Sequence, residues 1–116
     1  MADTNVLIYI LEGRAATDAF ANDIYYASVI SEIELLGWYK ATEPQKRIIE
    51  RLIEKLHIID LSVSIKQIAI EIKQQYKVKL PDAIIAATSI YLDIPLLTAD
   101  TGFEKIKKLN ALIIPV

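Results

Sequence analysis

Short unbroken apolar runs alternate along the chain with stretches whose apolar residues recur every three or four positions. After Asp3, the apolar segment Val6 to Leu11 predicts a short helix, and the alanine-rich amphipathic piece from Arg14 to Asn22 predicts another. Asp23 to Ala27, with Ile24, Tyr25 and Tyr26, is β-branched and aromatic and predicts a buried strand, followed by Ser28 as a helix N-cap. A helix is predicted over Val29 to Lys40. Another spans Glu43 to Leu56, where Ile48, Ile49, Leu52, Ile53 and Leu56 share one stripe and Pro44 falls in the first turn. His57 to Leu61 predicts a second strand. Ser62 or Ser64 caps the next helix, in which Ile65, Ile68, Ala69, Ile72 and Tyr76 lie at i, i+3, i+4, i+7 and i+11. Pro81 opens a helix carrying Ala83, Ile84, Ala87, Ile90 and Tyr91. Pro95 to Thr98 predicts a third strand, Phe103 to Leu109 a last helix, and Ala111 to Val116 a terminal strand.

Strands that are continuous apolar runs, each separated from the next by helix, predict an α/β sandwich around a mainly parallel sheet. Pro and Gly fall singly between periodic segments, with no repeat and no linker, so residues 1–116 read as one domain. Hydrophobic residues make up 53% of the chain, enough for a packed core and too many for a disordered one. The longest uncharged stretch of the C-terminal half, Ala83 to Leu92, is half of what a membrane span needs. With no cleavable signal in view, the expectation is a soluble, cytoplasmic protein.

Thirteen basic and fifteen acidic residues leave a formal charge of −2, which gives no electrostatic argument for bulk nucleic-acid binding. The absence of cysteine excludes disulfides, thiolate nucleophiles and cysteine-based zinc sites. A single histidine, His57, excludes sites that need two imidazoles, and three glycines exclude phosphate-binding glycine loops. Chemistry must therefore rest on carboxylates, hydroxyls, amides and Lys or Arg. In parallel sheets the crevice lies beyond the carboxyl ends of the strands. There the sequence offers Asp3 with Asn5, then Glu32 and Glu34, then Asp100, while Asp82 falls in the first turn of its helix. Several carboxylates in one crevice repel one another unless a cation compensates them, and oxygen ligands without His or Cys point to Mg²⁺ or Mn²⁺. Each acid also has an ordinary structural role open to it. Asp82 suits a helix start by its charge, and Asp3 and Asp100 suit N-caps. Periodicity does not choose between Glu32 and Glu34. His57 opens an apolar strand and reads as structural. Arg14 and the group Lys105, Lys107 and Lys108 read as a solvated face that also offers contacts to a polyanion.

The blocks Asp3-Thr4-Asn5-Val6-Leu7-Ile8, Ser31-Glu32-Ile33-Glu34-Leu35-Leu36-Gly37, Leu80-Pro81-Asp82-Ala83-Ile84-Ile85-Ala86-Ala87 and Leu97-Thr98-Ala99-Asp100-Thr101-Gly102-Phe103 stand in that order over nearly the whole chain. In this the sequence resembles the PIN domain (PilT N-terminus), closest to VapC-type toxins of bacterial and archaeal toxin–antitoxin pairs. The resemblance implies a PIN-like three-layer sandwich with a parallel five-stranded sheet flanked by helices. It also implies a Mg²⁺- or Mn²⁺-dependent endoribonuclease that leaves a 5′-phosphate and a 3′-hydroxyl. By position, Asp3, Glu34, Asp82 and Asp100 match the four metal-binding acids of the family, which selects Glu34 over Glu32. Asn5 matches a polar residue supporting the first acid, and Thr98 a hydroxyl two residues before the last; Thr4 reads as a turn or cap residue. The resemblance further implies a homodimer, an RNA substrate, no membrane, and a VapB-like antitoxin whose segment covers the acidic groove. The sequence departs from the family in one respect. Several apolar residues usually precede the first aspartate, whereas only Met1 and Ala2 precede Asp3, so a shortened first strand is expected. The alternative reading is a catalytically silent PIN domain that binds RNA or protein.

Overall fold

The computed structural model describes residues 1–13 and 25–115. Helix α1 (Thr4–Leu11) is followed by strand β1 (Tyr26–Ser28), α2 (Val29–Leu36), α3 (Glu43–Lys55), β2 (His57–Ile59), α4 (Val63–Gln75) and α5 (Leu80–Leu92). Strand β3 (Leu96–Thr98), a 3₁₀ helix (Thr101–Lys105) and β4 (Ala111–Ile113) complete the order. The helical piece expected from Arg14 to Asn22, the first residues of the strand expected from Asp23, and Val116 lie outside the described residues.

Local chemistry sets most of the boundaries. Asp3 caps α1, its Oδ1 accepting from the Val6 N–H at 2.9 Å, and the Ser28 hydroxyl accepts from Ile30 N–H at 3.1 Å to start α2. Thr42 and Gln45 form a reciprocal capping box at the start of α3, with Pro44 in its first turn. Of the two serines available before α4, Ser62 makes the cap, accepting from Ile65 N–H at 3.2 Å. The helix expected over Val29 to Lys40 stops at Leu36 instead. Gly37 closes it by donating to the Ile33 carbonyl, and a β-carbon at 37 would lie 2.6 Å from that oxygen. The apolar Trp38 and Tyr39 that extend the pattern lie in the following turn and are exposed. The helix expected over Phe103 to Leu109 is instead the 3₁₀ turn, capped by Asp100. Phe103 and Ile106 are both buried, and a spacing of three matches the 3₁₀ period.

The strands pair in parallel as two short sheets, β1 with β2 (Tyr26 opposite His57) and β3 with β4 (Leu96 opposite Ala111). Between them runs the N-terminal segment. Ala2 donates to the Tyr26 carbonyl at 3.0 Å and forms a parallel bridge with Leu97, whose N–H donates to the Met1 carbonyl at 2.7 Å. Asp3 N–H donates back to Leu97 at 3.1 Å. In place of a continuous five-stranded ladder, the described residues thus show two pairs joined by one bridging residue. Both faces are covered. Met1 and Leu96 pack with α4 and α5, while Ala2 and Leu97 pack with α1, α2 and α3, the alternation of extended chain. Helix α5 is buried without interruption from Ala83 to Ser89, so it is a core helix rather than an amphipathic one. Its hydroxyls are satisfied: Thr88 donates to Ile84 and Ser89 to Ile94. Among the described residues no helix is long and apolar enough to cross a membrane.

Candidate active site

Four acids from four parts of the chain line one cleft of about 830 Å³: Asp3 at the start of α1, Glu34 on α2, Asp82 in the first turn of α5, and Asp100 just after β3. Glu32 is not among the lining residues. The other wall is apolar, with Ile8 and Leu11 from α1, Leu35 from α2, Trp38, and Ile48 and Ile49 from α3. Glu12 adds a fifth acid, and no Lys or Arg lines the cleft among the described residues.

Asp3 is held most firmly. It is buried, at 5% exposure, and both carboxylate oxygens are engaged: Oδ1 by Val6 N–H, and Oδ2 by the Thr98 hydroxyl at 2.5 Å. The fully buried Thr98 Oγ1 in turn accepts from Asp100 N–H at 3.0 Å, so one hydroxyl ties the first acid to the backbone of the fourth. Asp100 Oδ1 accepts from Gly102 N–H at 2.8 Å while the residue remains exposed. Asn5 lines the cleft and is exposed; the hydrogen bonds that support Asp3 come from Val6 and Thr98, and none comes from Asn5 among the described residues.

Thr4, which reads as a cap from sequence, has a further place in the site. Its hydroxyl donates to Glu34 Oε1 at 2.8 Å and lies 2.8 Å from the hydroxyl of Ser31. Since Thr4 has one hydroxyl hydrogen and gives it to Glu34, the buried Ser31 donates to Thr4. The result is a chain of hydroxyls, Ser31 to Thr4 to Glu34, that fixes the orientation of the second acid. The available signal was the Ser three residues before Glu34, one turn away on the same helix face.

Burial pushes the Asp3 carboxyl above its ordinary value of 3.8; the hydrogen bonds from Thr98 and Val6 pull it back, and the charges of Asp82 and Asp100 push it up again. Asp82 is also raised, first by burial, then by repulsion from Asp100 and Glu34, with Lys79 opposing. A carboxyl whose folded pKa is raised penalises the fold above that pKa, and the penalty is lifted as pH falls through it toward the unfolded value. In metal-free buffer, Asp82→Asn is therefore expected to be more stable than the wild type at about pH 7, with the difference vanishing by about pH 4. Thermal melts at the two pH values check this. A variant less stable at neutral pH would return Asp82 to the role of a favourable helix-start charge.

Among the described residues no three His, Asp or Glu side chains are drawn together as a ready-made metal site. The donor set nevertheless fits a hard divalent cation by chemistry, since it consists of carboxylate oxygens whose mutual repulsion has no lining cation to offset it.

The PIN domain family profile matches residues 1–109. A chain in a toxin–antitoxin complex from Klebsiella pneumoniae is 33% identical, with a TM-score of 0.78 over 93% of this chain and 92% of that one. A chain of VapBC-1 from nontypeable Haemophilus influenzae is 26% identical, with a TM-score of 0.75 over 97% and 96%. A chain of VapBC2 from Rickettsia felis, bound to a promoter DNA fragment, shares the fold at 20% identity and a TM-score of 0.79, over 99% and 100%. No curated protein matches the sequence. With the sequence profile covering all four acids and the solved folds superposing along nearly the whole chain, this chain belongs to the PIN domain family.

Proposed function

We propose that the chain is a VapC-type toxin, a Mg²⁺- or Mn²⁺-dependent endoribonuclease whose single domain spans 1–116. Its two strand pairs and the segment around Ala2 are then the five parallel strands of a three-layer PIN sandwich. The observation that carries the reading is the convergence of Asp3, Glu34, Asp82 and Asp100 on one cleft without a lining basic residue among those described.

Those four carboxylates would hold the cation, which supplies charge neutralisation at the scissile phosphate and a bound water of lowered pKa. The rest is the work of the chain's own groups. Thr98 and Val6 fix Asp3 in the buried floor, Thr4 fixes Glu34 at the exposed rim, and the Asn5 amide at the mouth offers donors and an acceptor to the sugar–phosphate strand. No side-chain general base is needed, in keeping with a cleft that has no histidine among its lining residues.

The apolar wall formed by Ile8, Leu11, Trp38 and Ile48 suits a VapB-like antitoxin segment that lays apolar side chains along α1 and α3 and presents a cation to the acids. The toxin–antitoxin complexes among its structural relatives support this, and a homodimer completes the proposed assembly.

The test is incubation of the purified, antitoxin-free protein with a mixed RNA pool in Mn²⁺ or in EDTA. Cleavage in Mn²⁺ alone is expected. A folded protein with neither cleavage nor saturable Mn²⁺ binding would favour the silent binding module.

Removing the Thr4 hydroxyl tests the support of the second acid. Thr4→Val is expected to weaken Mn²⁺ binding about tenfold, in the range for partners that orient metal ligands, with Thr4→Ser restoring it. Isothermal titration with Mn²⁺ reads both, and equal affinity in Thr4→Val and the wild type would remove Thr4 from the site.

A further inference from the structure

Six of the chain's thirteen basic residues fall in two short segments that contain no acid: Lys73, Lys77 and Lys79 between 73 and 81, and Lys105, Lys107 and Lys108 from 105 onward. The fold brings these segments together. Lys105 Nζ donates to the Lys77 carbonyl at 2.7 Å across 28 residues, Lys73 Nζ donates to the Val78 carbonyl at 2.7 Å, and Lys107 N–H donates to the Tyr76 hydroxyl at 3.3 Å. All six lysines are exposed. Two of them, Lys73 and Lys105, use their ammonium groups to pin the loop between α4 and α5. Among the described residues, the ammonium groups of Lys77, Lys107 and Lys108 have no hydrogen-bond or ion-pair partner.

This basic surface adjoins the acidic cleft through the same two segments that deliver two of its acids. Lys79 is the N-cap residue of α5, three positions before Asp82, and its charge acts on that carboxyl. Lys105 ends the 3₁₀ helix that Asp100 caps. Glu71, which shares a small groove with Lys108, and Glu104 are the acids on its border.

A floor of carboxylates repels every phosphate except the one neutralised by a bound cation. A nucleic-acid strand reaching that floor therefore needs positive charge beside the cleft for its neighbouring phosphates. We infer that the lysine surface formed by residues 73–79, from the end of α4 into the loop before α5, and residues 105–108 is the track for the RNA backbone flanking the scissile bond. The substrate is accordingly a single-stranded polymer of several nucleotides, held on one side of the cut by Lys77, Lys79, Lys107 and Lys108. Lys73 and Lys105 act as positioning residues that shape the track. The inference rests on the ribonuclease reading and names the surface by which that site takes its substrate.

Binding of a fluorescent single-stranded RNA of about 20 nucleotides, followed by anisotropy in EDTA over a range of salt, tests it. The variants are Lys77→Ala/Lys107→Ala/Lys108→Ala and a charge-matched control, Arg51→Ala/Lys55→Ala/Lys66→Ala, on α3 and the first turns of α4. Melting curves verify the fold of both. The track variant is expected to bind about 30-fold more weakly at about 50 mM salt, with a plot of log affinity against log salt flatter by about 2, and the control is expected to match the wild type. Equal losses in both triples would reduce the effect to net charge and overturn the track. Unchanged binding in the track variant, alongside RNA cleavage by the wild type, would also overturn it and assign the lysines to another partner, such as an acidic protein segment. A wild type that neither binds nor cleaves RNA would overturn the ribonuclease reading itself, and the track with it.

Discussion

Asp82→Asn is expected to lose RNA cleavage by more than about 100-fold, beyond the range typical of residues that merely orient a metal ligand. The substitution is nearly isosteric and keeps an oxygen and the helical start of α5, but it removes one of the five negative charges around the cleft. Asp82 feels both Asp100 and Glu34 and is itself felt by Asp3, so its charge is coupled to the other three acids. The activity loss should therefore accompany a gain, or no loss, of metal-free stability at neutral pH. That pairing distinguishes a ligand from a structural residue, for which activity and stability fall together. Gel-based cleavage of a defined RNA and a thermal melt in EDTA give the two readings. Wild-type turnover in the variant would sink the assignment of Asp82.

Thr98→Val is expected to cost about 2–3 kcal/mol of stability without any metal present, a drop of roughly 10 °C in Tm for a domain of this size. Valine keeps the volume, the β-branch and the strand preference of threonine, so the packing of β3 is preserved. The loss falls on the two hydrogen bonds of a fully buried hydroxyl: the one donated to Asp3 Oδ2 and the one accepted from Asp100 N–H. Deprived of the Thr98 donor, Asp3 keeps its burial and its repulsion from Asp82 and Asp100, so its pKa moves further up. Cleavage at neutral pH should weaken with it, while Thr98→Ser should restore both properties. Chemical denaturation is the direct measurement, and a loss under about 0.5 kcal/mol would show that Asp3 finds another donor.

The elements were legible wherever a local signal reinforced the hydrophobic period. Ser28, the Thr42 and Gln45 pair with Pro44, and the serine before α4 all stand where helices begin. The ends of elements were less legible, because apolar pattern runs past the point where backbone geometry stops it. Trp38 and Tyr39 prolong the stripe of α2, but the last helical bond is that of Gly37 to Ile33, and Trp38 N–H turns back to Leu35 instead of Glu34. Phe103 and Ile106 fit the period of either an α or a 3₁₀ turn, and seven residues were too few to separate the two. The site shows the same division. Periodicity left Glu32 and Glu34 equivalent, and it was the order of motif blocks that selected the residue lining the cleft. Thr4 was missed because its partners, Ser31 and Glu34, are 27 and 30 residues away, and a hydroxyl at a helix start carries a sufficient local explanation. The lysine surface was half visible: residues 105–108 stood out as a run, but nothing in the sequence joined them to the loop before Asp82.

The bond between Asp3 and Thr98 spans 95 residues, and this separation puts a clock on the assembly of the cleft. At about 5–20 residues per second, a ribosome needs roughly 5–20 s to make the chain between them. Throughout that interval the first acid lacks its buried donor and neither β3 nor Asp100 yet exists, so a nascent chain carries an incomplete set of cleft acids. The cleft with all four acids in place is therefore a property of the nearly finished chain alone.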